Sequence, residues 1–255
     1  MVDPNIHCDK LVCQARPILM SAPMVKACLR EDDPKSQTRR IAKFVTRENG
    51  YNLNFSGLHP DKVGDLWILS SMGNGCWNER TIPMRCPYGK PGDLLWVRER
   101  GTELRWAYGH DPLSVPGGRD LWTHCGYRYH ADGAEIYIPG YDPESGFEGK
   151  KDRVSIHMPR WASRLTLRIT DVRVDRLHSI SEDDAKAEGC GTAIFETIVP
   201  VRASGVMHSA ACYRAGYACL WDQINGAGSW QANPWIWALT FDVIRKNVDE
   251  VLRNV

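Results

Sequence analysis

The nine residues "DDPKSQTRR" at 32–40 place two acids, a proline, a lysine, two hydroxyls and an arginine pair just after a short apolar helical pattern. Two readings fit: a solvated turn, or a catalytic loop in which Lys35 activates a hydroxyl. A desolvated lysine sheds its proton more readily and can then act as a base, and a nearby hydroxyl supplies a nucleophilic oxygen. Spacing alone does not choose, because K-x-x-T arises about once by chance in a chain of ordinary composition and this length. Arg39 and Arg40 offer either a phosphate clamp, one arginine turned inward and one toward solvent, or a structural ion pair with Glu99 or Asp93. Glu99, which closes "LLWVRE", is either a pocket-facing carboxylate or the holder of an arginine.

Other chemistry-bearing side chains are more scattered. Ten tryptophans include Trp161 in "PRWASR" and Trp230 in "SWQANPWIW", either of which can stack on a pyrimidine whose edge Asn233 reads, or else fill a core. His157 stands alone before a strand and reads as structural. Nine cysteines, an odd number in a long chain, read as reduced thiols. The spacings Cys8–Cys13 and Cys76–Cys86 are too loose for a tetrahedral zinc site, so no metal and no cofactor is expected.

The elements that must carry these residues follow from pattern. "PILMSAPMVKACLRED" predicts a short helix with Pro23 at its start and its end near Arg30, delivering the chain to a turn over "DDPKSQT". "DLWILS", "LLWVRE" and "GYRYHAD" read as strands separated by long Gly/Pro/Asn-rich loops, including residues 109–124 and 139–153. In "RLTLRITDVRVDRL", Leu165, Leu167 and Ile169 have one parity and Val172 and Val174 the other, so a bulge near Thr170 and Asp171 is required to bury all five. "SISEDDAKAEG" predicts a helix capped by Ser181 or Ser179 and stopped by Gly189, with Glu188 in its last turn. "SAACYRAGYACLWDQI" predicts a further helix with Cys212, Ala215, Cys219 and Ile224 near its apolar stripe, and "WIWALTFDVI" a closing strand.

Taken in order, "RPILMSAPMVKACL…KSQTRR", "CPYGKPGDLLWVRE", "SIHMPRWASRLTLRITDVRVDRL", "SEDDAKAEG" and "LWDQINGAGSWQANPWIWALTF" resemble the phage-associated branch of the ASCH family. The resemblance implies an α+β fold: a PUA-like mixed β-barrel flanked by short helices, here with long loop insertions. It covers residues 18–243 as one domain, with 1–17 as an N-terminal extension and 244–255 as a C-terminal tail. The family includes RNA binders, a ribonuclease, and amidohydrolases that remove the acetyl group of N4-acetylcytidine. Alignment with the last group lays its catalytic lysine on Lys35, its threonine on Thr38 and its glutamate on Glu188. Amide cleavage needs a nucleophile, a base and an acid for the departing nitrogen, which these three groups, or water with two of them, provide. The expectation is a metal-free amidohydrolase of N4-acylated cytosine or cytidine, with Arg39, Arg40, Glu99, Trp161, Trp230 and Asn233 around the substrate. An RNA-binding module or a ribonuclease is the alternative.

Composition narrows the partners. At 255 residues and 43% apolar content the chain can build a substantial core, while 32 basic against 31 acidic residues leave a net charge of +1. No global field draws it to polyanions, which favours a nucleoside-sized substrate with at most weak RNA contact. The first 19 residues lack the pattern of a signal peptide, and no segment has 18 consecutive apolar residues, so a cytoplasmic protein without membrane partners is expected.

Overall fold

The architecture follows from one long bent strand that buries both its halves. In the computed structural model, residues 13–46, 57–73, 76–79, 81–107, 122–146, 149–193 and 212–254 are described. The first twelve residues of the N-terminal extension, residues 108–121, which include most of the loop expected over 109–124, and residues 194–211 lie outside them. The first half of the chain supplies β1 (Ala15–Leu19), α1 (Ala22–Cys28), β2 (Gln37–Ile41), β3 (Leu58–Val63), β4 (Leu66–Gly73), β5 (Cys76–Glu79), β6 (Met84–Arg85), β7 (Leu94–Arg98) and β8 (Gly101–Ala107). The second half adds β9 (Trp122–Tyr129), β10 (Glu135–Tyr137), β11 (Gly149–Arg153), β12 (Thr166–Arg176), α2 (Glu182–Ala187), α3 (Tyr213–Asn225), β13 (Trp235–Ile244) and α4 (Val248–Leu252).

The protein is α+β. Its central sheet runs β1-β7-β12-β13-β2, a second runs β10-β9-β8-β11, and a third runs β3-β4-β5 with β6 on β4. Among the described residues each sheet has free edges. Only β1 and β7 pair in parallel within the central sheet.

The parity conflict in β12 is resolved as the pattern requires. Pairing with β13 shifts between Ile169 and Asp171, leaving Thr170 as the extra residue. Leu165, Leu167, Ile169, Val172 and Val174 thereby share one core with Val25, Cys28 and Phe241. Alternation along β13 divides the rest: Trp235, Trp237, Leu239 and Phe241 face that core, whereas Ile236 and Ala238 face a second one built with Tyr217, Ala218 and Trp221 of α3.

Both chain ends of the resemblance join the fold. β1 begins within residues 1–17 and pairs with β7, and α4, in the segment 244–255, packs Val248 and Val251 on Leu94 and Trp96. The stripe of α3 differs from expectation: Ala215, Tyr217, Ala218 and Trp221 are buried, while Cys219 is exposed and Ile224 is 47% exposed. The large rings of Tyr217 and Trp221 bury more apolar area than cysteine or one isoleucine, so they set which face turns inward.

Candidate functional site

The chain reaches the site through α1, whose Pro23 occupies the opening turn and needs no hydrogen-bonded amide there. Lys35 N donates to the Ala27 carbonyl and Ser36 N to the Ala187 carbonyl, tying the entry of β2 to the ends of α1 and α2. The turn expected over "DDPKSQT" is therefore confined to its first part: Gln37 to Ile41 is a strand, so Thr38, Arg39 and Arg40 sit on rigid backbone rather than on a loop. Helix α2 starts where Ser181 accepts a hydrogen bond from the Asp184 amide, and Glu188 is its C-terminal cap. Gly189 follows with φ +78°, and a Cβ there would lie 2.7 Å from the Ala27 Cβ and 3.2 Å from the Lys35 Cβ. Glycine is what lets Lys35 lie against the end of α2.

Lys35 Nζ lies 2.6 Å from Glu188 Oε2 and 2.6 Å from the Glu188 carbonyl oxygen. Glu188 Oε1 accepts from Arg39 Nη1 at 3.1 Å, while Arg39 Nη2 pairs with Asp184 at 2.8 Å. Asp184 and Glu188 are one helical turn apart, so a single guanidinium bridges both. Gln37, two residues before Arg39 on the same face of β2, also bonds Asp184. Burial alone would raise the Asp184 pKa, but Gln37, Arg39 and Arg173 together lower it. Tyr217 packs under the Arg39 guanidinium, and burial followed by the Glu188 charge pushes its hydroxyl well above the usual phenol value.

This network forms one wall of a cleft of about 380 Å³, open to solvent, between Met24 of α1, Arg39, Arg40 and Ile41 of β2, Glu188, and the Tyr217, Leu220, Trp221 and Ile224 face of α3. Strand β2 is an edge of the central sheet. Phe241 N donates to the Ser36 carbonyl and Ala42 N to the Trp235 carbonyl, so by alternation Thr38 and Arg40 turn their backbone groups to β13. The N–H and C=O of Arg39 consequently point outward at the open edge, offering a donor and an acceptor side by side.

Side chains alternate in the other sense. Thr38 is opposite Leu239 and shares its face, away from Arg39 and Gln37. Thr38 is fully buried, its Oγ1 has no hydrogen-bond partner, and it is not part of the cleft wall. Arg40 is only partly buried; its Nη2 donates to the Leu19 carbonyl at 2.7 Å and its Nε is buried without a partner. A buried donor left unmade costs about 1–3 kcal/mol.

Four of the residues expected around the substrate serve other purposes. Glu99 gives both oxygens to Arg164, at 2.8 and 2.9 Å, and burial raises its pKa more than that bond lowers it. Arg164 also meets Asp132 and stacks on Tyr129, so this carboxylate locks a strand end and pairs with neither Arg39 nor Arg40. Asp93 likewise belongs to Arg16. Trp161 packs with Tyr127, Tyr129 and Met158 and stacks on His124, on the second sheet's side of the molecule. Trp230 lies behind Tyr217 and against His178. Asn233, with φ +42°, holds its own turn by accepting from the His178 amide. Tyr217, Asp184 and Trp221 were missed. Only the Asp184–Glu188 spacing, four apart on one helix face, was a usable signal.

No group of three His, Cys, Asp or Glu side chains that would hold a metal occurs among the described residues. Cys8 and the side chain of Cys76 lie outside them. No helix of the described residues is long and apolar enough to cross a membrane. No family model, no curated protein and no solved structure matches the chain.

Proposed function

We propose that this protein is a metal-free amidohydrolase of the ASCH type, with a PUA-like arrangement of its bent central sheet, acting in the cytoplasm on N4-acylated cytosine or cytidine. The observation that carries the reading is Glu188: a carboxylate on a cleft wall, held from behind by Lys35 at 2.6 Å and from the side by Arg39 at 3.1 Å. A carboxylate so fixed can receive and return a proton without reorienting. The apolar wall of Met24, Leu220 and Trp221 suits a base and acyl group, and the outward Arg39 backbone suits the N3 and N4–H edge of cytosine.

Because Thr38 faces the opposite side of β2, the reading gives the attack to water. Glu188 takes a proton from the water as its oxygen bonds to the acyl carbon. The C–N4 bond then breaks, and the proton passes from Glu188 to N4, leaving cytosine amine and carboxylic acid. Lys35 is a positioning residue that keeps Glu188 oriented and balances its charge through the proton cycle.

The test is to incubate the purified chain and its Glu188→Gln variant with N4-acetylcytidine, and separately with labelled RNA. Cytidine release by the wild type alone supports the proposal. RNA fragments, or RNA retention without cytidine, would replace it with the nuclease or binding-module reading.

A further inference from the structure

Three charged residues line the cleft, Arg39 and Glu188 on the α3 side of β2 and Arg40, by strand alternation, on the Met24 side of that open edge, and two of them are neutralised. Glu188 is bound by Lys35 and Arg39, and Arg39 is bound by Glu188 and Asp184. Arg40 has no carboxylate partner among the described residues; its one hydrogen bond runs to the neutral Leu19 carbonyl, which fixes the guanidinium plane without cancelling its charge. Its Nε is buried and lacks an acceptor. A planar donor fork, held still and left cationic at a cleft wall, matches two oxygens of a phosphate.

We infer that the ligand of this cleft is a nucleotide whose phosphate meets Arg40, rather than the uncharged nucleoside. The base and acyl portions rest on the amidohydrolase reading; the anion does not. The Glu188 carboxylate pairs with Lys35 and Arg39 and makes no ion pair with Arg40. The apolar residues Met24, Leu220 and Ile224 complete the wall and carry no charge that would repel the phosphate. A phosphate on cytidine comes either from a mononucleotide or from an RNA backbone. One unpaired guanidinium among the charged residues of the cleft offers one phosphate site, which favours the mononucleotide. The net charge of +1 supplies no extended field for a chain of phosphates.

The experiment is calorimetric titration of the full chain with cytidine, cytidine 5'-monophosphate and a short oligocytidylate, on wild type, Arg40→Gln and Arg40→Lys, with circular dichroism to check folding. The expected result is that the monophosphate binds wild type roughly 10-fold or more tighter than cytidine, and no weaker than the oligonucleotide. That preference should shrink to about 2-fold or less in Arg40→Gln and be partly kept in Arg40→Lys, which retains charge but not the fork. Equal binding of nucleoside and monophosphate, binding of neither, a preference that survives Arg40→Gln, or tighter oligocytidylate binding overturns the inference. Should Arg40→Gln not fold, the wild-type and Arg40→Lys comparisons decide it alone. Incubation with N4-acetylcytidine 5'-monophosphate separates the two proposals. An intact phosphate preference without acetate release removes only the amidohydrolase reading, and deacetylation without the preference removes only this one.

Discussion

Lys35 donates twice to Glu188, once to its carboxylate and once to its backbone carbonyl, both at 2.6 Å, with the two side chains 1% and 2% exposed. The ammonium therefore both neutralises the carboxylate and caps the end of α2, where helix carbonyls lack partners and the dipole is negative. Carboxylate neutralisation and helix termination are coupled through one side chain.

The network is asymmetric, and its stability should be too. Removing Lys35 leaves Glu188 held by Arg39, whereas removing the Glu188 charge strips a partner from two buried cations. Breaking a buried pair costs about 3–5 kcal/mol, so Lys35→Met should fall at the lower end and Glu188→Gln at the upper. Urea unfolding of both variants measures the order. The reverse order would mean that Arg39 does not share Glu188.

Thr38→Val replaces an unpartnered buried hydroxyl by a methyl of similar shape in an apolar setting. Stability should rise by about 1 kcal/mol, read as a higher urea midpoint. Turnover should persist if water is the nucleophile. A stabilised variant with no cytidine release would transfer the attack to Thr38.

Two carboxylates should shape stability against pH in opposite senses. The folded-state pKa of Asp184 is lowered below 3.8, so on acidification the unfolded chain takes up the proton first and stability is lost as pH falls through and below that value. Glu99 is raised above 4.5, so the folded state binds its proton first, and its contribution is lost as pH rises through the window above 4.5. Urea midpoints across pH should show Asp184→Asn flattening the acid limb and Glu99→Gln flattening the limb above 4.5. Slopes of the opposite sign in either variant contradict the assignment.

Thiol reactivity should sort by burial. Cys28 is fully buried and its pKa is pushed up to about 11, first by burial, with the opposing Lys35 charge too weak to offset it. Cys219 is exposed. Timed alkylation at neutral pH with peptide mapping should modify Cys219 in the native protein and Cys28 only after denaturant is added. Early labelling of Cys28 would show that the core around Lys35 opens readily.

Local chemistry along the chain was enough to determine the bulge at Thr170, forced by five apolar residues of mixed parity, and the α2 boundaries, set by a serine cap and a terminal glycine. Local chemistry did not join Lys35 and Glu188, which are 153 residues apart; the family resemblance named both, and the fold brings them to 2.6 Å. What tertiary structure alone decided was which face each residue occupies and which acid each arginine meets. "DDPKSQT" reads as a turn because Pro34 and its polar neighbours carry no apolar period, yet pairing with β13 puts Gln37 and Thr38 in a strand and sends Thr38 and Arg39 to opposite sides. Glu99 went to Arg164, and Trp161 and Trp230 to separate clusters, because partner choice depends on strand order in space. Strand order is set by long-range burial, which nearest-neighbour patterns do not encode.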